Sequence, residues 1–106
     1  MKRILGLALS LLLISVSVHA EKTCVDDTID EVAGDGAIIT MLSGSIWKVD
    51  EADQVDSGLW QGTEDVLICS QAIPIKGGAT FVAYTILNKE ENGEEVSAAR
   101  IGHKSN

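Results

Sequence analysis

Ile4 to Val18 is an almost unbroken apolar run, and it decides how much of the chain is left to fold. Lys2 and Arg3 put positive charge ahead of it, and Val18 and Ala20 stand where a signal peptidase reads. The run is about 15 residues, short of the roughly 20 that a membrane-spanning helix needs. The pattern predicts a bacterial-type signal peptide over residues 1–20, cleaved after Ala20. The mature chain, 21–106, is then periplasmic or secreted, with no membrane association after processing. What remains is one small domain. A domain of that size buries only about 60–65% of the surface its unfolded chain exposes, so it has little stability to spare.

Two cysteines fall in the mature part, Cys24 and Cys69. An exported chain with an even cysteine count predicts a disulfide, and two cysteines allow one pairing. A metal or redox pair fits less well. There is no Cys-x-x-Cys, and the one mature histidine, His103, lies near the C-terminus. Glu21-Lys22-Thr23 before Cys24 is not the small apolar run that marks a lipidated cysteine.

The chain has 16 acidic and 8 basic residues, a net charge of −8; loss of Lys2 and Arg3 takes it to −10. Nucleic acids and anionic lipids need a basic face, so neither is an expected partner. A cationic protein, a cation, or solubility alone all remain compatible with the charge.

Beyond Gly36 the pattern is one of β-prone runs broken by glycine-bearing turns. Ala37 to Leu42 and Ser45 to Val49 flank Ser43-Gly44. Taken as a two-residue hairpin turn, this sets Thr40 opposite Trp47 and Ile38 opposite Val49. Ile38, Thr40, Leu42, Trp47 and Val49 would then share the core face. Residues 50–64 read as an irregular acidic loop with a helical turn around Glu51 to Val55, and Leu59 and Trp60 folding back over the core. Asp65 to Ser70 is the next strand, ended by Pro74. Gly77-Gly78 turns the chain into Thr80 to Leu87. Asn92-Gly93 is the strongest hairpin signal and sets Leu87 opposite Ala98, Ile86 opposite Ala99 and Tyr84 opposite Ile101. Residues 21–36 are polar and predict at most an edge strand or a helical turn. About five strands and almost no helix make an all-β domain, a small antiparallel five-stranded barrel or half-barrel of SH3/OB-like kind. Lys89, Glu90, Glu91, Glu94 and Glu95 crowd the last hairpin, a common protection against edge pairing.

The inventory argues against an enzyme. Nucleophilic catalysis needs a base beside the nucleophile, and no histidine lies outside the tail. Gly77-Gly78 lacks the residues of a phosphate loop. Carboxylates are plentiful, but nothing singles out a catalytic pair and the domain leaves little room for a substrate cleft. Asp50, Glu51, Asp53 and Asp56 cluster within seven residues and suit calcium in kind, yet their spacing matches no calcium-binding loop. Solvated aspartates capping turns explain them equally well, and no metal site or cofactor is expected. Trp47 and Tyr84 read as core. Trp60 sits by glycines in a loop and is the better binding candidate, with Asp53, Asp56 and Asp65 around it.

Gly44-Ser45-Ile46-Trp47-Lys48-Val49-Asp50, then Asp53, Asp56, Leu59-Trp60 and Asp65-Val66-Leu67-Ile68-Cys69 resemble a group of small exported bacterial proteins to which no function is attached. Their shared outline is Gly-Ser-x-Trp-x-Val-Asp, an aspartate loop, Leu-Trp, and Asp-Val-x-Ile. Asn88 to Ile101 also fits. The resemblance implies a small β-barrel and draws attention to the 50–65 loop. The expectation is therefore an exported, non-enzymatic binding or interaction module. The alternatives are an inhibitor of a cationic secreted enzyme such as a lysozyme, or a calcium-dependent structural protein.

Overall fold

A computed structural model of the chain describes residues 22–105. The signal peptide expected over 1–20 lies outside the described residues. Six antiparallel strands close into a barrel: β1 (Lys22–Ala33), β2 (Ile38–Met41), β3 (Ser45–Val49), β4 (Asp65–Pro74), β5 (Thr80–Asn88) and β6 (Glu94–His103). The order around the barrel is β1-β2-β3-β6-β5-β4, with β4 returning to β1. The strand beyond the expected five is β1, the polar segment that the sequence predicted as at most an edge strand or helical turn. It is the longest strand and has neighbours on both sides. Lys22 to Thr28 pair with β4, and Ile29 to Ala33 pair with β2. A bulge between Ile29 and Glu31 marks the change of partner, and an extra residue bends a strand at such a point. The bulge also explains why the strand was hard to read. Val25, Ile29 and Val32 are spaced four and three apart, which breaks strand alternation and mimics a helix.

Both hairpin registers differ from expectation. In the β2–β3 hairpin Ile39 faces Trp47, with Ile38 opposite Lys48 and Thr40 opposite Ile46. The loop has three residues, Leu42-Ser43-Gly44. The Gly44 N–H bonds to the Met41 carbonyl, and Gly44 takes the positive φ, +103°, that closes such a loop. A one-residue slip turns every side chain over. Ile39 and Met41 are therefore core and Leu42 is 65% exposed, while Trp47 and Val49 keep their inward places. In the β5–β6 hairpin Tyr84 faces Ala98 and Ile86 faces Val96. Asn92-Gly93 does turn with positive φ, but at the end of a five-residue loop over 89–93.

The core is Ile29, Ile39, Met41, Trp47, Val49, Val66, Ile68, Ile86, Val96 and Ala98, inward residues of the six strands, with Trp60 added from the β3–β4 crossover. The β3–β4 crossover contains a turn at Glu51–Asp53 and the short helix α1 (Gln54–Ser57), close to the helical turn expected there. It packs on the Gly34–Gly36 turn. The Ser57 hydroxyl donates to the Gly36 carbonyl at 2.7 Å. Gly36 is buried at φ +99°, and a Cβ there would collide with the Gly58 nitrogen and the Gln54 carbonyl. Only glycine lets these two backbones approach so closely. Cys24 and Cys69 stand directly opposite in the β1–β4 register and form the one disulfide. Disulfides persist in oxidising surroundings, so this one points to a compartment other than the cytoplasm. No helix among the described residues is long and apolar enough to cross a membrane.

Candidate functional site

The residues expected to bind do not form one site. Trp60 is 3% exposed, and its indole N–H donates to Glu94 Oε1 at 2.8 Å. It seals the end of the barrel where β5 turns into β6. Leu59 is exposed, so only half of the expected Leu-Trp pair folds inward. Asp53 Oδ2 accepts the Ser97 N–H of β6 at 2.8 Å. Asp65 Oδ1 accepts the Thr28 hydroxyl of β1 at 2.9 Å. β1 and β6 are three steps apart either way around the barrel, so Asp53 and Asp65 lie on opposite sides of it. Asp56 is half-buried on α1. Among the described residues no group of three or more histidine, cysteine, aspartate or glutamate side chains is placed to hold a metal ion.

The sealed end is completed by Asn88, which is fully buried. Its side-chain oxygen accepts the Glu90 N–H at 2.9 Å, and its amide donates to Glu64 Oε1 at 3.0 Å. Burial works to raise the Glu64 carboxyl, but bonds from the Gln61 N–H, Asn88 and Glu91 outweigh it and hold the group below its ordinary value. Glu91 is pushed the other way, first by its hydrogen bond to Glu64, then by burial and by the charges of Glu64, Glu94 and Glu90. Glu91 thus contributes stability at low pH that is lost as pH rises through its raised value. Glu64 contributes stability at higher pH that is lost as pH falls through its lowered value. Glu91→Gln keeps a donor toward Glu64 and removes one charge from the cluster. It should raise the melting temperature slightly at about pH 7 and leave it unchanged at about pH 4, where Glu91 is already largely protonated. Melts at the two pH values check this; equal shifts at both would rule out the charge explanation.

The opposite end is open. A cavity of about 410 Å³ lies between the start of β1, the β2–β3 loop and the end of β6. Its floor is Trp47 and Tyr84, packed edge to face with ring centres 5.0 Å apart. Val25 and Ile68 supply apolar wall. A polar chain runs from floor to rim. The Trp47 indole N–H donates to Ser45 Oγ at 2.8 Å, Ser45 and Ser43 hydroxyls lie 3.4 Å apart, and Ser43 donates to Asp27 Oδ2 at 2.6 Å. Arg100 and His103 stand at the rim with Nη2 and Nδ1 3.2 Å apart. Among the described residues every ion pair is made by Lys22, Lys89 or Lys104, so Arg100 has no carboxylate partner in a chain rich in carboxylates. His103 covers Gly44, whose missing side chain makes room for the ring. Sequence reasoning missed this site because barrel closure assembles it from five strands. The one local signal was that residues 22–105 contain a single arginine and a single histidine, three positions apart.

No family model, curated protein or solved structure matches this chain.

Proposed function

We propose that this protein is an exported, non-enzymatic binding module whose ligand enters the open mouth of the barrel. The observation that carries the reading is the contrast between the two ends. One is plugged by Trp60 and Asn88, while the other holds a cavity with an aromatic floor and, at its rim, an arginine with no carboxylate partner among the described residues. Such a concave, largely apolar site with a few convergent polar groups suits a small amphipathic ligand. Arg100 would meet an anionic group, and Tyr84, Val25 and Ile68 an apolar body. The signal-like N-terminus and the disulfide support periplasmic or secreted residence after cleavage at Ala20. Membership of the small bacterial group that the sequence resembles is part of the same proposal.

Calorimetric titration of the purified, disulfide-bonded protein with a series of small carboxylic acids of increasing apolar length tests it. Affinity should rise with length and then level off as the cavity fills. Arg100→Ala should weaken binding about 10- to 100-fold, the worth of a hydrogen bond to a charged group, with the melting temperature unchanged. Binding that ignores Arg100 sinks the reading. A salt-sensitive interaction with a lysozyme-like cationic enzyme would favour the inhibitor alternative, and a calcium-dependent melt the structural one.

A further inference from the structure

β4 and β5 continue past the barrel as a two-stranded arm. Ala72 pairs with Val82, Ile73 with Phe81 and Pro74 with Thr80. Among the described residues the β1–β4 ladder runs to Lys22 opposite Gln71, and the β5–β6 ladder ends at Tyr84 opposite Ala98. Residues 71–82 are all exposed, Phe81 at 58% and Val82 at 46%. The arm's two edges differ. On the β4 edge Pro74 has no N–H to offer, a usual way to blunt an edge. The β5 edge, Thr80-Phe81-Val82-Ala83, carries no proline, charge or bulge. The β5–β6 hairpin, by contrast, is guarded by Lys89, Glu90, Glu91, Glu94 and Glu95. From Ala72 to Leu87 the only charged residue is Lys76, in a chain with 16 acidic residues.

We propose that the free β5 edge pairs with the same edge of a second copy, antiparallel about a two-fold axis at Phe81. The charge distribution selects this occupant. Two bodies of net charge −8 or more negative repel each other over most of their surface. Joining the neutral arms keeps the acidic barrels apart. The segment is also self-complementary, as an isologous contact requires. The pairing sets Phe81 against the second copy's Phe81 on one face and Val82 against its Thr80 on the other, an aromatic pair and a β-branched pair of the kinds that stabilise sheets. Beyond Tyr84 and Ala98 the two strands part around a cavity of about 510 Å³, bounded by Phe81, Val82, Ala83 and Ala99 and by the charged Asp50 and Arg100, which leaves room for the second copy's turn. Four strands, β4-β5-β5-β4, form one continuous arm. The contact is small, so the dimer is weak, with a dissociation constant in the micromolar range.

Sedimentation equilibrium of the purified, disulfide-bonded protein from about 1 µM to about 1 mM, with hydrogen exchange at both ends of the range, tests the proposal. A reversible dimer is expected, with the amides of Thr80 to Ala83 gaining protection as concentration rises. Phe81→Lys and, on the other face, Val82→Lys should each weaken the dimer at least about tenfold without lowering the melting temperature. A monomer throughout overturns it, as does a dimer that tolerates both lysines. So does a monomer that co-sediments with zwitterionic lipid vesicles, which would make the arm a membrane contact.

Discussion

Trp60→Ala should cost about 3–5 kcal/mol, the usual price of truncating a buried tryptophan to alanine. The indole is 3% exposed, stands among Ile29, Val66, Val96 and the other core residues, and its N–H is bonded to Glu94. Removing it leaves both a void at the sealed end and a glutamate without its donor. A domain this small has about 5–10 kcal/mol of total stability, so the variant should be partly unfolded at body temperature. Trp60→Phe separates the two contributions. It restores most of the bulk and loses only the hydrogen bond, for about 1–2 kcal/mol. Urea titrations followed by far-ultraviolet circular dichroism measure both. A Trp60→Ala protein with wild-type stability but altered ligand affinity would return the residue to the binding role its loop position suggested, and would undo the assignment of this end as closed.

Removing the disulfide should cost about 2–5 kcal/mol. The bond spans 45 residues, and on the chain-entropy model a loop of that length is worth about 4 kcal/mol. Its position decides which part loosens. Cys24 and Cys69 face each other where the start of β1 closes the barrel against β4, beside the open mouth and far from the Trp60 plug. Hydrogen exchange on the Cys24→Ala/Cys69→Ala double variant should therefore show early loss of protection over Lys22 to Thr28 and their β4 partners. Protection around Asn88 and Trp60 should persist until global unfolding. Uniform loss of protection would mean that the bond acts only on the unfolded chain. A loss below about 1 kcal/mol would mean that the seam holds by its strand pairing alone.

The alternating runs and glycine turns named the all-β class, and the cysteine count gave the disulfide, because both depend on local chemistry or on counting. Hairpin registers were less legible. They depend on how many residues a turn uses, and Gly44 closes a three-residue loop where two were expected. The Asn92-Gly93 pair marked a turn but not its start, because the buried Asn88 opens the loop by accepting hydrogen bonds with both its side chain and its carbonyl. β1 was hidden by its own bulge. For the candidate site, the acidic residues of the 50–65 loop drew attention by density in sequence, yet their carboxylates are dealt to opposite sides of the barrel. The residues that do converge come from Val25, Ser43, Tyr84 and Arg100, whose neighbourhood exists only once the barrel is closed.

The split pairing of β1 bears on the order of events during folding. This strand leaves the ribosome ahead of the other five, but the strand that Lys22 to Thr28 pair with is β4, made some forty positions later. β2 follows at once and can pair with the far half of β1, so a β1-β2-β3 meander forms early with one flank bare. The barrel cannot close until β4 has appeared, and such long-range pairing places folding in the slow range of about milliseconds to seconds. In that interval the thiols of Cys24 and Cys69 are apart, and the disulfide can form only once β1 and β4 have met.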